Sequence, residues 1–99
     1  MYVIREVLNC KPGKVRQMLE KFRSISTVLK ETGQEPMRLL TDVTGEPYWT
    51  IIAEAQVEKI DDFFAMEHAL MSNAALQKTM ADYHELVAGG RREIYRIES

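Results

Sequence analysis

The feature that most constrains the fold of this chain is the order in which two hydrophobic periodicities follow each other. Residues 2–9 have the two-residue period of a strand, with one charged residue on each face. Apolar residues between 15 and 29 recur at three- and four-residue spacing, and two alternating segments then flank a turn. A second helical stretch and a last alternating segment follow. This order, βαββαβ, predicts an α+β fold in which a four-stranded antiparallel sheet carries two helices on one face.

Length and composition limit the classes of protein to which the chain can belong. One βαββαβ unit fills the 99 residues, of which 45% are hydrophobic, and predicts one domain over residues 1–99. A net charge of −2 with thinly spread Lys and Arg argues against nucleic acid as a partner. No apolar run approaches the roughly 20 residues that cross a bilayer, so we expect no membrane segment. Cys10, the only cysteine, excludes an internal disulfide and fits a reducing, cytoplasmic compartment.

Turn and capping residues predict where the elements begin and end. The Lys-Pro-Gly sequence at 11–13 closes the first strand and opens the first helix, because proline is tolerated in a first helical turn. Gly33 is predicted to follow the end of that helix, and residues 44–47 to form a turn between strands. Ser72 and Asn73 interrupt the second helical stretch and cap a further segment. We expect that segment to end at Gly89 and Gly90, before the last strand.

The third strand distinguishes the two faces of the sheet most clearly. Its cleaner apolar face, predicted to meet the helices, consists of Trp49, Ile51, Ala53, Ala55 and Val57. The other face then stays uncovered and consists of Thr50, Ile52, Glu54 and Gln56. A half-apolar sheet surface is more often an interface than bare surface, and symmetric self-association is its commonest cover. We therefore predict a homodimer formed through the open sheet face.

Two stretches and the order of the elements resemble a known family. They are the Lys-Pro-Gly-Lys turn at 11–14 and the segment that runs from Leu70 and Met71 to Gly-Arg-Arg-Glu-Ile at 90–94. In these features the chain resembles the dimeric α/β-barrel superfamily, which includes antibiotic-biosynthesis monooxygenases and NIPSNAP-like proteins. The resemblance implies a ferredoxin-like protomer and a dimer whose sheets face each other across a barrel. It also implies that a ligand cavity lies between the sheet and the second helix.

The chain departs from the haem-degrading members of that superfamily. Those enzymes use an asparagine on the first strand with a tryptophan and a histidine on the second helix. Here the asparagine position falls nearest Glu6, and the only tryptophan, Trp49, is predicted on the third strand. Neither histidine falls clearly where a haem ligand is expected, and two histidines 16 residues apart form no metal motif. We therefore expect no haem, no metal and no other cofactor.

Carboxylates on the middle strands are the first candidates for a site, because charged groups there are partly buried. Glu54 is a candidate catalytic base, and Glu6 is a candidate ligand-binding residue. The structural alternative is that these carboxylates form salt bridges lining the dimer barrel. The available partners are Arg5, Arg38 and Arg92.

The second helical stretch supplies two further candidate catalytic residues. Glu67 follows Phe63 by four positions, so it is either a base inside the apolar stripe or a carboxylate at the stripe edge that reaches solvent. His68 is next to Phe64 and Met71 on the helix surface. It is a candidate proton shuttle at a cavity mouth, or else an exposed flank.

Aromatic and methionine side chains supply the remaining ligand-binding candidates. Tyr48 and Trp49 wall a pocket at the start of the third strand or belong to hairpin packing. Phe64 and Met71 form an apolar wall beside the second helix or belong to the core.

The sequence therefore leaves two functions open. The favoured one is a dimeric barrel that holds a small apolar or aromatic molecule, and the other is a cofactor-independent monooxygenase-like enzyme that removes a proton from a small aromatic substrate.

Overall fold

The chain folds as four strands and three helices in the predicted order, in a computed structural model that describes all residues, Met1–Ser99. The strands are β1 (Tyr2–Cys10), β2 (Arg38–Thr41), β3 (Thr50–Val57) and β4 (Val87–Arg96). The helices are α1 (Val15–Glu31), α2 (Ile60–Met71) and α3 (Ala74–Thr79), and a 3-10 turn follows at Tyr83–Glu85. No helix has both the length and the apolar character that crossing a bilayer requires.

The strands form one antiparallel sheet in the order β2-β3-β1-β4, which confirms the predicted sheet. Directly opposed residues of neighbouring strands lie on the same face. Glu6 of β1 is opposite Ala53 of β3, whereas Arg5 is opposite Glu54. These two pairs therefore lie on opposite faces of the sheet.

The core lies between one face of the sheet and the helices. Ile51 and Ala53 of β3 pack in one cluster with Met18 and Phe22 of α1, and each of the four is at most 6% exposed. The helix-facing side of β3 is therefore the predicted one. The Cα atoms span 35 × 35 × 17 Å, and the thin dimension holds one sheet and one layer of helices. The opposite face, which we call the open face, carries no helix.

Two of the predicted caps are present. Gly33 has a φ of 79° after the last residues of α1, and the N–H groups of Gly33 and Gln34 donate to carbonyls of its last turn at 3.1 and 2.8 Å. This pair of bonds is a Schellman motif. The side chain of Asn73 accepts from the N–H of Leu76 at 3.0 Å and caps α3. The break after α2 therefore has a specific local cause.

Gly89 and Gly90 do not end a helical segment, contrary to expectation, but lie inside β4. They are opposite Asn9 and Leu8 of β1. Glycine is required at position 90 because an added Cβ would lie 2.6 Å from the carbonyl oxygen of Val7. The close approach of two strands, not a helix terminus, explains this glycine.

Trp49 also differs from expectation, because it precedes β3 and has a φ of 69°. β2 is only four residues long, so a loop of residues 42–49 joins it to β3. In this loop Glu46 Oε1 accepts from Arg91 Nη2 of β4 at 2.6 Å. Since β1 lies between β3 and β4, the loop reaches across the open face at this end of the sheet.

Candidate functional site

A charged cluster lies between the sheet and α2. Glu6 of β1 and Arg92 of β4 are directly opposed, and they lie on the helix-facing side because Glu6 is also opposite the core residue Ala53. Arg92 Nε donates to the Glu6 carboxylate, and Arg92 Nη2 donates to the carboxylate of Glu67 on α2. One guanidinium therefore links β1, β4 and α2. We call Glu6, Arg92 and Glu67 the arginine cluster.

Phe63 supplies an aromatic surface beside the arginine cluster. Its side chain is buried, and Arg92 Cζ lies over its ring at 5.1 Å from the centroid. This is the distance of a cation–π contact. The ring of Phe64 meets Phe63 edge to face, with centroids 5.6 Å apart. Phe63 and Glu67 reach the same guanidinium because residues four apart lie on one side of a helix.

The arginine cluster is reachable from solvent. The side chains of Arg92, Glu6 and Glu67 are 35%, 28% and 32% exposed. Burial lowers the pKa of Arg92, but the hydrogen bonds and charges of Glu6 and Glu67 together outweigh it, so the net pKa is raised. The cluster thus presents a permanent cation and two carboxylates next to an aromatic ring. Such a combination can orient a small aromatic molecule that carries one polar group.

α2 is held to the rest of the protein by few buried side chains. Phe63 is the only buried residue among its 12 residues. Asp61 and Asp62 occupy the first turn, where negative charge suits the helix dipole, but Lys59 provides no side-chain cap. Elements with few buried apolar contacts have low local stability. The main attachments of α2 to the sheet are therefore Phe63 and the Arg92–Glu67 hydrogen bond.

Of the predicted site residues, the structure places Glu6 and Glu67 in the arginine cluster. Glu54 lies on the open face, where it forms ion pairs with Arg38 at 2.5 Å and with Arg5 at 3.4 Å. The sheet separates Glu54 from Glu67. Within one protomer, the two carboxylates cannot act on the same small molecule.

His68, Phe64 and Met71 lie on the outer surface of α2. Phe64 is 45% exposed and Met71 is 66% exposed. His68 is exposed as well. These residues form a surface stripe at helical spacing and are not part of the core.

Tyr48 and Trp49 lie at a different place, in an open groove of about 920 Å³ between the 42–49 loop and the first half of α1. Arg16 and Arg23 of α1 also line this groove. Trp49 is 43% exposed and Tyr48 is more exposed still. The two aromatic residues therefore wall a concave surface, but one that α2 does not border.

The arginine cluster and Phe63 occupy part of the space between the sheet and α2. A cavity of about 370 Å³ lies at the β3 side, where Met66 of α2 and Ala55 and Val57 of β3 are among its lining residues. A smaller cavity of about 150 Å³ lies between α1 and α2 and is lined in part by Leu29, Met66 and Leu70. No group of three or more His, Cys, Asp or Glu side chains is arranged to hold a metal ion. The buried Cys10 thiol has a pKa raised by desolvation.

The sequence indicates Arg92 only as a salt-bridge partner and does not place Phe63 in a site. The two-residue period of the last strand does place Arg92 on the same face as Ile94. Its partner could not be read from that period, because the register between β1 and β4 is a tertiary property. The sequence also hides the start of β4 at Val87, because Gly89 and Gly90 resemble the end of a helix.

No family model matches the sequence, and neither does any curated protein. Solved structures do match the fold. A NIPSNAP family protein from Agrobacterium tumefaciens has a TM-score of 0.81 at 16% identity, over 97% of this chain and 84% of that one. An uncharacterized NIPSNAP domain protein from Burkholderia xenovorans has a TM-score of 0.79 at 13% identity, over 100% and 96%. A predicted antibiotic biosynthesis monooxygenase from Nitrosomonas europaea has a TM-score of 0.71 at 18% identity, over 100% of both chains.

These similarities define the fold class. The chain has the ferredoxin-like α+β fold of NIPSNAP and antibiotic biosynthesis monooxygenase proteins, as the resemblance of its residues implied. Identities of 13–18% show the fold alone. Because one fold supports many activities, the function has to be inferred from the site.

Proposed function

We propose that this single-domain protein is a homodimer, formed through the open face, that binds a small apolar or aromatic molecule between the sheet and α2. The observation that carries the proposal is Arg92, which Glu6 and Glu67 hold over the ring of Phe63 while it stays 35% exposed. An apolar wall with a few fixed polar groups is the usual composition of a small-molecule site.

Arg92 has hydrogen-bonding capacity left for a ligand. Its bonds to Glu6 and Glu67 use Nε and Nη2. A guanidinium has five N–H donors, so Nη1 can donate to a carboxylate, phenolate or carbonyl oxygen of the ligand. The aromatic part of the ligand would lie against Phe63. Room for it requires that α2 move away from the sheet, which a single buried residue and the Arg92–Glu67 hydrogen bond oppose.

The open face supports the homodimer because no helix covers it and apolar side chains remain accessible on it. Tyr95 of β4 is 53% exposed, and Val3 of β1 lies directly opposite it. A second copy is the commonest cover for such a surface. The lone cysteine fits the cytoplasm, where we place the protein.

Native mass spectrometry of gently purified protein tests both parts of this proposal. We expect the mass of a dimer, with additional mass where a small molecule is retained. Ligand-observed NMR with planar aromatic acids and phenols then locates the site. Arg92→Lys keeps the charge but loses the planar fork, so we expect affinity to fall about tenfold.

Trp49→Leu is the matched control, because Trp49 lies in the groove beside α1. We expect it to leave affinity unchanged. The reverse result, with binding lost in Trp49→Leu and kept in Arg92→Lys, would place the ligand in that groove and contradict the proposed site. A monomer at all concentrations would contradict the homodimer.

A second candidate function is a cofactor-independent monooxygenase-like enzyme that acts on a small aromatic substrate. The fold shared with the predicted antibiotic biosynthesis monooxygenase from Nitrosomonas europaea favours it. Glu67, beside Arg92, is then the base that removes a proton from the substrate, and His68 exchanges that proton with solvent. Glu54 could serve only a substrate held at the open face, because two arginines bind it there.

Dioxygen uptake with activated phenols tests this alternative. We expect Glu67→Gln to abolish turnover and His68→Ala to reduce it, while both variants remain dimers. Absence of dioxygen uptake by the wild type would exclude the enzyme and leave the binding protein, and unchanged turnover in Glu67→Gln, Glu54→Gln and His68→Ala would exclude these residues as its base and proton shuttle.

A further inference from the structure

Four charged side chains form one row straight across the open face, one from each strand. Their order across the sheet is Arg38 (β2), Glu54 (β3), Arg5 (β1) and Glu93 (β4), and each is directly opposite the next. Arg38 Nη2 lies 2.5 Å from Glu54 Oε2, and Arg5 lies 3.4 Å from Glu54 and 3.6 Å from Glu93. The charges therefore alternate, plus, minus, plus, minus. We call these four residues the charge row.

The centre of the charge row is incompletely satisfied within the protomer. Arg5 makes two long ion pairs and no hydrogen bond of good geometry, and its Nε is buried without a hydrogen-bond partner. A guanidinium has five donors, and buried donors that stay unpaired are rare. Arg5 thus has donors for an acceptor that the protomer does not supply.

Apolar side chains flank the charge row on both sides. On one side the half-buried Leu40 and Ile52 lie in the neighbouring row on β2 and β3, which continues with the fully buried Val7 of β1 and the half-exposed Arg91 of β4. On the other side lie Val3 and the half-exposed Tyr95. Charged groups framed by apolar ones are typical of a surface that is covered in the functional assembly.

We propose that the charge row sets the geometry of the dimer: Arg38 faces the partner's Glu93, and Arg5 faces the partner's Glu54. This inference rests on the proposed homodimer. Two identical surfaces that meet face to face are related by a two-fold axis in the plane between them. An axis parallel to the strands, passing between β1 and β3, reverses the order of the row in the partner. Every charge then faces its opposite.

The other simple arrangement is excluded by charge. An axis parallel to the row itself would place each residue opposite its own copy, so Arg5 would face the partner's Arg5. Four like-charge contacts would result, and like charges opposed across an interface are strongly unfavourable. Only the reversed row also supplies a carboxylate to the unused donors of Arg5.

A variant with the whole row inverted tests this geometry. It combines Arg5→Glu, Arg38→Glu, Glu54→Arg and Glu93→Arg, so each protomer keeps an alternating row and each homodimer keeps opposite charges face to face. Between the variant and the wild type, however, every facing pair has like charges. After the two proteins are unfolded together and refolded, we expect native mass spectrometry to show both homodimers and a mixed dimer at least about tenfold below its statistical share.

The control inverts an ion pair on the helix side, Lys21→Asp with Asp82→Lys, whose groups are 2.5 Å apart. This protein should mix freely with wild type, giving half mixed dimers. Half mixed dimers for the inverted row would show that the row does not face itself, and an excess would show the axis parallel to the row. Either result overturns the inference but leaves the homodimer, whereas a monomeric wild type refutes the homodimer itself.

Two single variants give the same answer if the inverted row does not refold. Arg38→Glu places like charges against the partner's Glu93, and Glu93→Arg places like charges against the partner's Arg38, so each homodimer should weaken. The two variants are complementary to each other. We expect their mixture to form mainly mixed dimers, and a statistical mixture would overturn the inference.

Discussion

The two faces of this sheet use arginine and glutamate in different ways. On the helix-facing side, one arginine lies between two carboxylates and over an aromatic ring, and α2 closes the cluster. On the open face, four alternating charges extend over four strands without a covering helix. The first arrangement has an excess of one negative charge and no internal symmetry. The second is neutral and matches its own reversed copy, which suits a partner of identical sequence, whereas the first suits a ligand.

Adjacent isoleucines of β3 test the difference between the faces most strongly. Ile51 is fully buried against the helices, and Ile52 lies on the open face. We expect Ile51→Ala to lower the free energy of unfolding by about 2–5 kcal/mol, because it removes buried methyl groups and leaves a cavity. Ile52→Ala should lower it by less and weaken the dimer instead. Urea unfolding at concentrations that dissociate the dimer, with analytical ultracentrifugation, separates the two effects, and equal losses of stability would contradict the burial difference.

Adjacent glycines of β4 provide a second comparison. A Cβ at Gly90 would lie 2.6 Å from Val7 O and 2.9 Å from Leu8 Cδ2, whereas a Cβ at Gly89 would meet nothing within 4 Å. We expect Gly90→Ala to destabilise the protein by roughly 1–3 kcal/mol through backbone displacement. Gly89→Ala should change stability by less than about 0.5 kcal/mol. If thermal unfolding shows equal losses of stability in the two variants, β1 and β4 do not approach each other closely at Gly90.

These paired positions also show how far the sequence predicts the structure. The alternation of Ile51, Ala53 and their neighbours predicted the order of elements and the faces of β3, because burial imposes a two-residue period. Gly33 and Asn73 predicted their caps because the chemistry of a cap is local. The expectation that Gly90 ends a helical segment is wrong, because the sequence does not distinguish a glycine required by a neighbouring strand from one that ends a helix.

The candidate site was harder to predict than the fold. In the sequence Glu6 and Glu67 are candidates for separate reasons, and their common partner Arg92 lies 86 and 25 positions away. The pairing of β1 with β4 and the position of α2 above it determine that partnership. No periodicity within one segment contains this information. Glu54 and Glu6 are equivalent in the sequence, as carboxylates on the two middle strands, but the register between β1 and β3 places them on opposite faces of the sheet.

Removal of the shared arginine tests the helix-facing cluster. Arg92→Leu leaves Glu6 and Glu67 close together without their cation, and we expect a loss of about 1 kcal/mol, moderated because the side chains are about one third exposed. Arg38→Leu on the open face, where the arginine side chain is 72% exposed, is the control. In monomers it should have little effect, and an equal loss would argue against a special role for Arg92.

Carboxyl titrations provide the subtlest comparison of the two sides. The hydrogen bond from Arg91 is the main cause that lowers the pKa of Glu93 on the open face. The hydrogen bond from Lys21 likewise lowers the pKa of Asp82 on the helix side. A carboxyl with a folded-state pKa below its unfolded value stabilises the protein above the unfolded pKa, and the stabilisation is lost as the pH falls through the folded pKa. Arg91→Gln should raise the pKa of Glu93 and leave that of Asp82 unchanged, which carbon-detected NMR can measure.

Protein concentration distinguishes these two carboxyls further. In the proposed dimer the partner's Arg38 faces Glu93, whereas Asp82 lies on the helix side and meets only its own protomer. Dilution that dissociates the dimer should therefore raise the pKa of Glu93, because one of its cations is removed. The pKa of Asp82 should not depend on concentration. If dilution leaves both values unchanged, the charge row does not face a partner, and the two sides of the sheet differ only in the helices that cover one of them.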